Sequence, residues 1–149
     1  SENDAIKTAN IVRYIRARET YDPRSLKDNY DLAQLYSTGQ ASADLRHEFE
    51  PSNPQSKDKL LGRNTRIAVT IKSVSFLNAS TATVRLSTET RRDNTLRREH
   101  WVSVVRFRYT TAPLKNEYRF DNPLGFQVVE YRRDQESLPE VLPADKAAR

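Results

Sequence analysis

The sequence predicts an α+β domain in which N-terminal helices pack on a curved four-stranded antiparallel sheet. Three observations carry that prediction. The apolar pattern is helical in the first third of the chain and turns alternating after Gly62. Four alternating runs follow, joined by short connections, which is the signature of an antiparallel meander. Finally, the alternation changes parity near Ser73, so a bulge should bend the first strand and give the sheet a concave face for the helices.

The helices come first. Ile11 and Ile15 make one apolar stripe, and Tyr14, Ala17 and Tyr21 make a second, so the first helix should be buried on more than one side. Asp22-Pro23-Arg24-Ser25 predicts an N-cap at Asp22 with Pro23 in the first helical position. Leu26, Tyr30 and Ala33, with Leu32, Leu35 and Tyr36 alongside, carry this second helix to a stop at Gly39. A short third helix should run from Ser42 to Phe49, pairing Leu45 with Phe49 and ending at Pro51. A fourth is capped by Asn53, opened by Pro54 and closed by Gly62.

In the first strand Ile67, Val69 and Ile71 share a face, whereas Val74 and Phe76 fall on the opposite parity. Ala82, Val84, Leu86 and Thr88 define the inner face of the second strand. A hairpin turn centred on Asp93-Asn94 leads to a long third strand, with Trp101, Val105, Phe107 and Tyr109 on one face and Val102 and Val104 on the other. The fourth strand spans Phe126 to Tyr131. Residues 1–136 thus form a single domain, and residues 137–149, rich in proline and without a period, should be a flexible tail that frays.

Composition excludes several function classes. The chain has 149 residues and no cysteine, which removes disulfides, thiolate nucleophiles and cysteine metal sites. Three glycines leave little for a phosphate-cradling loop. No apolar run approaches the ~18 residues that cross a bilayer. The chain opens at Ser1 without any methionine, so it is expected to be an excised piece of a longer protein. The net charge of +5 is uneven: residues 1–50 hold seven Lys/Arg against nine Asp/Glu, and the remainder is strongly basic. Such asymmetry fits nucleic-acid binding, docking on acidic partners, or plain solubility.

No constellation points to catalysis. His47 and His100 are far apart, and HEFE lacks the second histidine of a zinc helix. His100, at a strand start beside Trp101, is expected to be packed or hydrogen-bonded. Glu99, Glu130 and Tyr109 could line a pocket, but structural pairing with neighbouring arginines explains them more simply. Arg91, Arg92, Arg97 and Arg98 flank a turn without interleaved exposed aromatics, so a solvated hairpin tip is expected rather than tight nucleic-acid binding. Asn78-Ala79-Ser80 matches a glycosylation sequon by chance. No cofactor is expected.

One short corner poses a sharper question. In Asn122-Pro123-Leu124-Gly125, proline fixes φ and glycine permits the turn, yet the tip carries a leucine where a polar residue is the default. Either Leu124 folds under its own helix or it is presented to another surface.

Arg16 to Leu26 (RARETYDPRSL), His100 to Tyr109 (HWVSVVRFRY) and Asn122 to Glu136 (NPLGFQVVEYRRDQE), in this order and spacing, resemble the periplasmic domain of the VirB-eight type inner-membrane subunit of bacterial type IV secretion systems. The resemblance spans about Ile6 to Glu136. It implies an NTF2-like fold without catalytic activity, acting as an assembly factor that dimerises and contacts other subunits of the machine. It also implies a single membrane helix preceding Ser1 and a periplasmic location in a Gram-negative bacterium. In such a protein the N-P-x-G corner lies near a dimer contact with the first helix, which here supplies Ile6, Ala9 and Arg13. Asn116 and the corner itself (Asn122, Pro123, Leu124 and Gly125) would complete that surface. Arg66, Val104 and Arg132 are candidate contacts for other partners, because interfaces favour arginine beside apolar anchors. The competing readings are a ligand-binding or enzymatic domain of the same architecture, and a nucleic-acid-binding domain.

Overall fold

The computed structural model describes residues 2–110 and 125–143. Four helices precede the sheet: α1 (Glu2–Glu19), α2 (Leu26–Leu35), α3 (Gly39–Glu48) and α4 (Lys57–Leu61). The strands are β1 (Thr65–Asn78), β2 (Thr81–Arg92), β3 (Thr95–Tyr109), β4 (Phe126–Gln135) and β5 (Glu140–Pro143). They form one antiparallel sheet of order β1-β2-β3-β4, with β5 added to β3 beyond the end of β4.

The bulge falls where the parity change demands it. Ile71 pairs with Leu86 and Ser73 with Arg85, so Lys72 is the extra residue. One added residue returns Val74 and Phe76 to the face already used by Val69 and Ile71, and all four pack on the core. The bulge and its lysine also blunt β1 as an edge strand. The β2–β3 hairpin turns through Asp93 and Asn94, with Asp93 at φ +54° and Arg92 paired with Thr95. A positive φ suits this short polar residue and the twist of a two-residue hairpin.

The core sits between α1 and the concave face. Ile11, Tyr14 and Ile15 of α1 are buried against Val84, Leu86, Val105, Phe107, Phe126, Val128 and Tyr131. Edge-to-face contacts link Tyr14 with Tyr131 and Tyr36 with Phe126, at 5.8 and 6.1 Å. These rings occupy much of the space between α1 and the concave face.

The helix boundaries differ from the sequence reading in ways the sheet explains. α2 begins at Leu26 and not at Pro23: Asp22 Oδ1 accepts the Arg24 N–H at 3.0 Å, the bond expected of an N-cap, but residues 23–25 form a turn that leads into the helix. Gly39 opens α3, at φ +54°, and does not close α2. The second helix stops at Leu35 because the edge of β4 captures the chain: the Val128 N–H donates to the Tyr36 carbonyl and the Thr38 N–H to the Val128 carbonyl. Strand pairing offers those backbone groups what another helical turn would have offered. α4 starts at Lys57, after an Asn53 turn, and closes at Gly62 as expected.

The C-terminal segment is the largest departure. Residues 137–149 are expected to fray, yet Glu140–Pro143 form β5 against Thr95–Arg98. Four residues with two hydrophobic side chains and a proline give no readable period, so pairing with an available edge decides their conformation.

Candidate assembly faces

α1 presents two different faces. Ile6, Ala9 and Arg13 recur at helical spacing on the side turned away from Ile11, Tyr14 and Ile15, and all three are exposed. Ile6 keeps 45% of its surface accessible, an unusual state for a large aliphatic side chain on a helix that packs on a sheet. With Asn3, Lys7 and Tyr109 it lines a shallow groove of about 320 Å³. Asn10 Nδ2 donates to Tyr109 Oη at 3.2 Å, and Lys7 Nζ donates to the Ala79 carbonyl at 3.3 Å. These bonds fasten the N-terminal half of α1 to the ends of β1 and β3. Arg13 lies over the Tyr36 ring at 5.3 Å.

Gly125 adjoins this end and is buried. Its φ is +65°, and a Cβ there would lie 2.7 Å from the Thr110 carbonyl oxygen. The Thr110 N–H donates to the Gly125 carbonyl at 2.9 Å. Glycine is therefore required where the chain pairs with Thr110 at the start of β4. Asn116, Asn122, Pro123 and Leu124 lie outside the described residues.

Arg66, Val104 and Arg132 all belong to the convex face but do not cluster. Val104 and Arg132 are cross-strand partners, half-buried and exposed respectively. Arg66 lies at the opposite end of the sheet, 3.5 Å from Asp22. The same face carries an ionic lattice. Arg85 forks onto Glu136 at 2.7 and 3.1 Å, and Arg98 meets Glu89 at 3.1 Å. His100 accepts from Lys72 at Nδ1 (2.5 Å) and pairs with Glu140 through Nε2 (2.9 Å), so it is hydrogen-bonded as expected. Hydrogen bonding from Arg85 lowers the Glu136 pKa, and the His100 contact lowers that of Glu140.

A third feature escaped sequence reasoning. Arg18, the fourth residue of the α1 inner stripe, is only 4% exposed. It donates to Tyr14 Oη at 2.6 Å and to the Ala41 carbonyl at 3.3 Å, and lies 3.7 Å from Glu48. Its guanidinium covers the Tyr131 ring at 4.7 Å. Burial disfavours the charge on Arg18, but Tyr14 and Glu48 more than offset it, and the pKa is raised. Burial likewise pushes Tyr131 well above the usual phenol value. Next to it Glu19 accepts from Arg133 at 2.5 Å, and Arg133 stacks on Trp101 at 3.9 Å. A groove of about 310 Å³ opens here between α3 and β4. Arg18 Nε and Tyr131 Oη are buried along it with no hydrogen-bond partner among the described residues. The signal was in the sequence: an arginine spaced with Ile11, Tyr14 and Ile15 belongs to a buried stripe and needs partners.

Among the described residues no group of three His, Cys, Asp or Glu side chains is placed to hold a metal ion, and no helix is long and apolar enough to cross a membrane. The molecule is thus an NTF2-like domain, helices on a curved antiparallel half-barrel. The family model described as VirB8 protein matches residues 1–136. The chain belongs to the VirB8 family of type IV secretion subunits. It is 35% identical over 137 residues to the type IV secretion system protein virB8 of Bartonella henselae, covering 91% of this chain and 58% of that protein. It is 35% identical to PtlE of Bordetella pertussis, covering 85% and 55%. The chain thus spans a little over half the length of these curated relatives. The soluble domain of TrwG from Bartonella grahamii superposes with a TM-score of 0.81 at 30% identity, over 90% of this chain and 96% of that one. Agrobacterium tumefaciens VirB8 shares the fold with a TM-score of 0.86 at 24% identity, over 93% and 96%.

Proposed function

We propose that this domain is a non-catalytic assembly factor of a type IV secretion system, working in the periplasm and tethered to the inner membrane by a helix outside this chain. Two copies associate weakly through the outward stripe of α1 (Ile6, Ala9 and Arg13), together with Asn116 and the Asn122–Gly125 corner. The convex sheet face, with Val104 and Arg132 at one end and Arg66 at the other, contacts other subunits. The observation that carries the reading is the exposure of Ile6 beside Tyr109 on a helix whose other face is fully packed. An apolar patch left open at a fastened, ordered helix end offers association at little ordering cost. The relatives' names are those of secretion-machine components. Sedimentation velocity over a concentration series should show a monomer–dimer equilibrium, and a strictly monomeric species at millimolar concentration would contradict it. The arginine hairpin is interleaved with Glu89 and Glu99, which hold Arg98 and Arg97. Binding to DNA should therefore be no tighter than micromolar at physiological salt and vanish above it.

A second reading has its own support. TraE, at 28–29% identity, has been solved with small pyridine carboxylic acids such as 2-chloroisonicotinic acid. Here the Arg18–Tyr131 groove, lined also by Arg132 and Arg133, offers arginines to such an anion. Binding of 2-chloroisonicotinic acid that survives Arg132→Ala and Tyr131→Phe undiminished would remove this reading.

A further inference from the structure

β5 is the most lightly held strand of the sheet. Its apolar anchor is Leu142, set opposite the fully buried Leu96. Its other side-chain holds are ionic and partly exposed: Glu140 pairs with His100 at 2.9 Å and lies 3.8 Å from Arg98; in the link before it Glu136 forks onto Arg85. Exposed pairs of this kind contribute little individually. The segment meanwhile turns large apolar side chains to solvent, with Leu138 88% and Val141 62% exposed. Between β4 and β5 the link Glu136–Pro139 ends in a proline that fixes φ, and at ~3.3 Å per residue it can span ~13 Å.

We propose that β5 exchanges between copies, so that Glu140–Pro143 of one molecule pairs with Thr95–Arg98 of another. The seat selects its occupant by chemistry. An acid must meet Arg98 and His100, and two residues later an aliphatic side chain must cover Leu96. The same sequence in a second copy satisfies both demands. Every contact that holds β5 in its own chain is recreated in the exchanged form, so the two forms differ mainly in the link and in association entropy. Exchange also brings two Leu138-bearing links together and covers apolar surface that the monomer leaves open. This contact is separate from the α1 face. A molecule with two distinct self-complementary surfaces builds assemblies larger than a dimer.

The absence of cysteine makes a disulfide trap clean. Arg97 and Val141 are cross-strand partners, and the double variant Arg97→Cys/Val141→Cys in one chain should close intramolecularly. Failure to close would contradict the seat itself. The two single variants, mixed and equilibrated under mild oxidation, should give a covalent heterodimer about tenfold above that from Val141→Cys mixed with Arg108→Cys, because docking raises the effective thiol concentration. Arg108 lies at the far end of β3. Yields equal to this control overturn the proposal. A yield that disappears when both chains also carry Ile6→Arg assigns the cross-link to the α1 face and overturns it as well.

Discussion

The two halves of α1 are held by different chemistry. In the C-terminal half Tyr14, Ile15 and Arg18 are buried, and Arg18 ties together Tyr14, Ala41, Glu48 and the Tyr131 ring. In the N-terminal half Ile6 and Ala9 are exposed, and polar bonds from Lys7 and Asn10 fasten the helix to strand ends. One half spends its apolar surface on folding. The other keeps some in reserve, on a backbone that folding has already ordered. Substitutions in the two halves should therefore separate into loss of stability and loss of association.

The largest effect should come from Arg18→Ala. It removes the buried donor to Tyr14 Oη and the Ala41 carbonyl and the packing on the Tyr131 ring, and it should cost about 2–4 kcal/mol. Urea denaturation reads this as a lower midpoint, and a midpoint close to wild type would show the network to be incidental. Leu124→Ala tests the corner proposed to share the association surface of α1. If the side chain serves the partner, the substitution weakens dimerisation and leaves the midpoint nearly unchanged. A loss of about 2–5 kcal/mol with unchanged association would place Leu124 in its own core.

Acid should have a smaller effect, away from α1. Glu136, Glu140 and Asp22 have folded pKa values below their ordinary ones; Asp22 is held at about 2, chiefly by its hydrogen bonds with Arg24. A depressed carboxylate contributes stability that is present above its unfolded pKa and is lost as pH falls through the folded one. Stability from these groups should therefore be intact at neutral pH and decline below about pH 4.5. Glu136→Gln should lower the neutral midpoint slightly and flatten part of the acid decline. An acid profile identical to wild type would show that the Arg85–Glu136 fork adds nothing.

Much of the sheet was legible because side-chain parity is strict. The shift between Ile71 and Val74 could be satisfied only by an extra residue, and Lys72 is that residue. Asp93-Asn94 likewise announced its turn through residue types that tolerate a positive φ. Helix ends were less legible because they were settled by distant partners. Gly39 resembled a stop, yet the chain leaves α2 earlier to pair with Val128. β5 carries no period of its own and owes its conformation to the edge of β3. For the assembly faces, Ile6, Ala9 and Arg13 were suggested by the family resemblance alone, because helical spacing does not show which apolar residues of α1 remain uncovered. Arg18 was visible only as part of a motif, since its partners lie on α3 and β4, far away in sequence.

The central claim is that the outward stripe of α1 serves association and not folding. Ile6→Arg tests it most directly, with sedimentation equilibrium and urea denaturation run on the same sample. The dimer dissociation constant should rise by about tenfold or more, equivalent to about 1.4 kcal/mol, while the urea midpoint stays within about 0.5 kcal/mol of wild type. Unchanged self-association, or a midpoint that falls as it does for Arg18→Ala, would contradict the account.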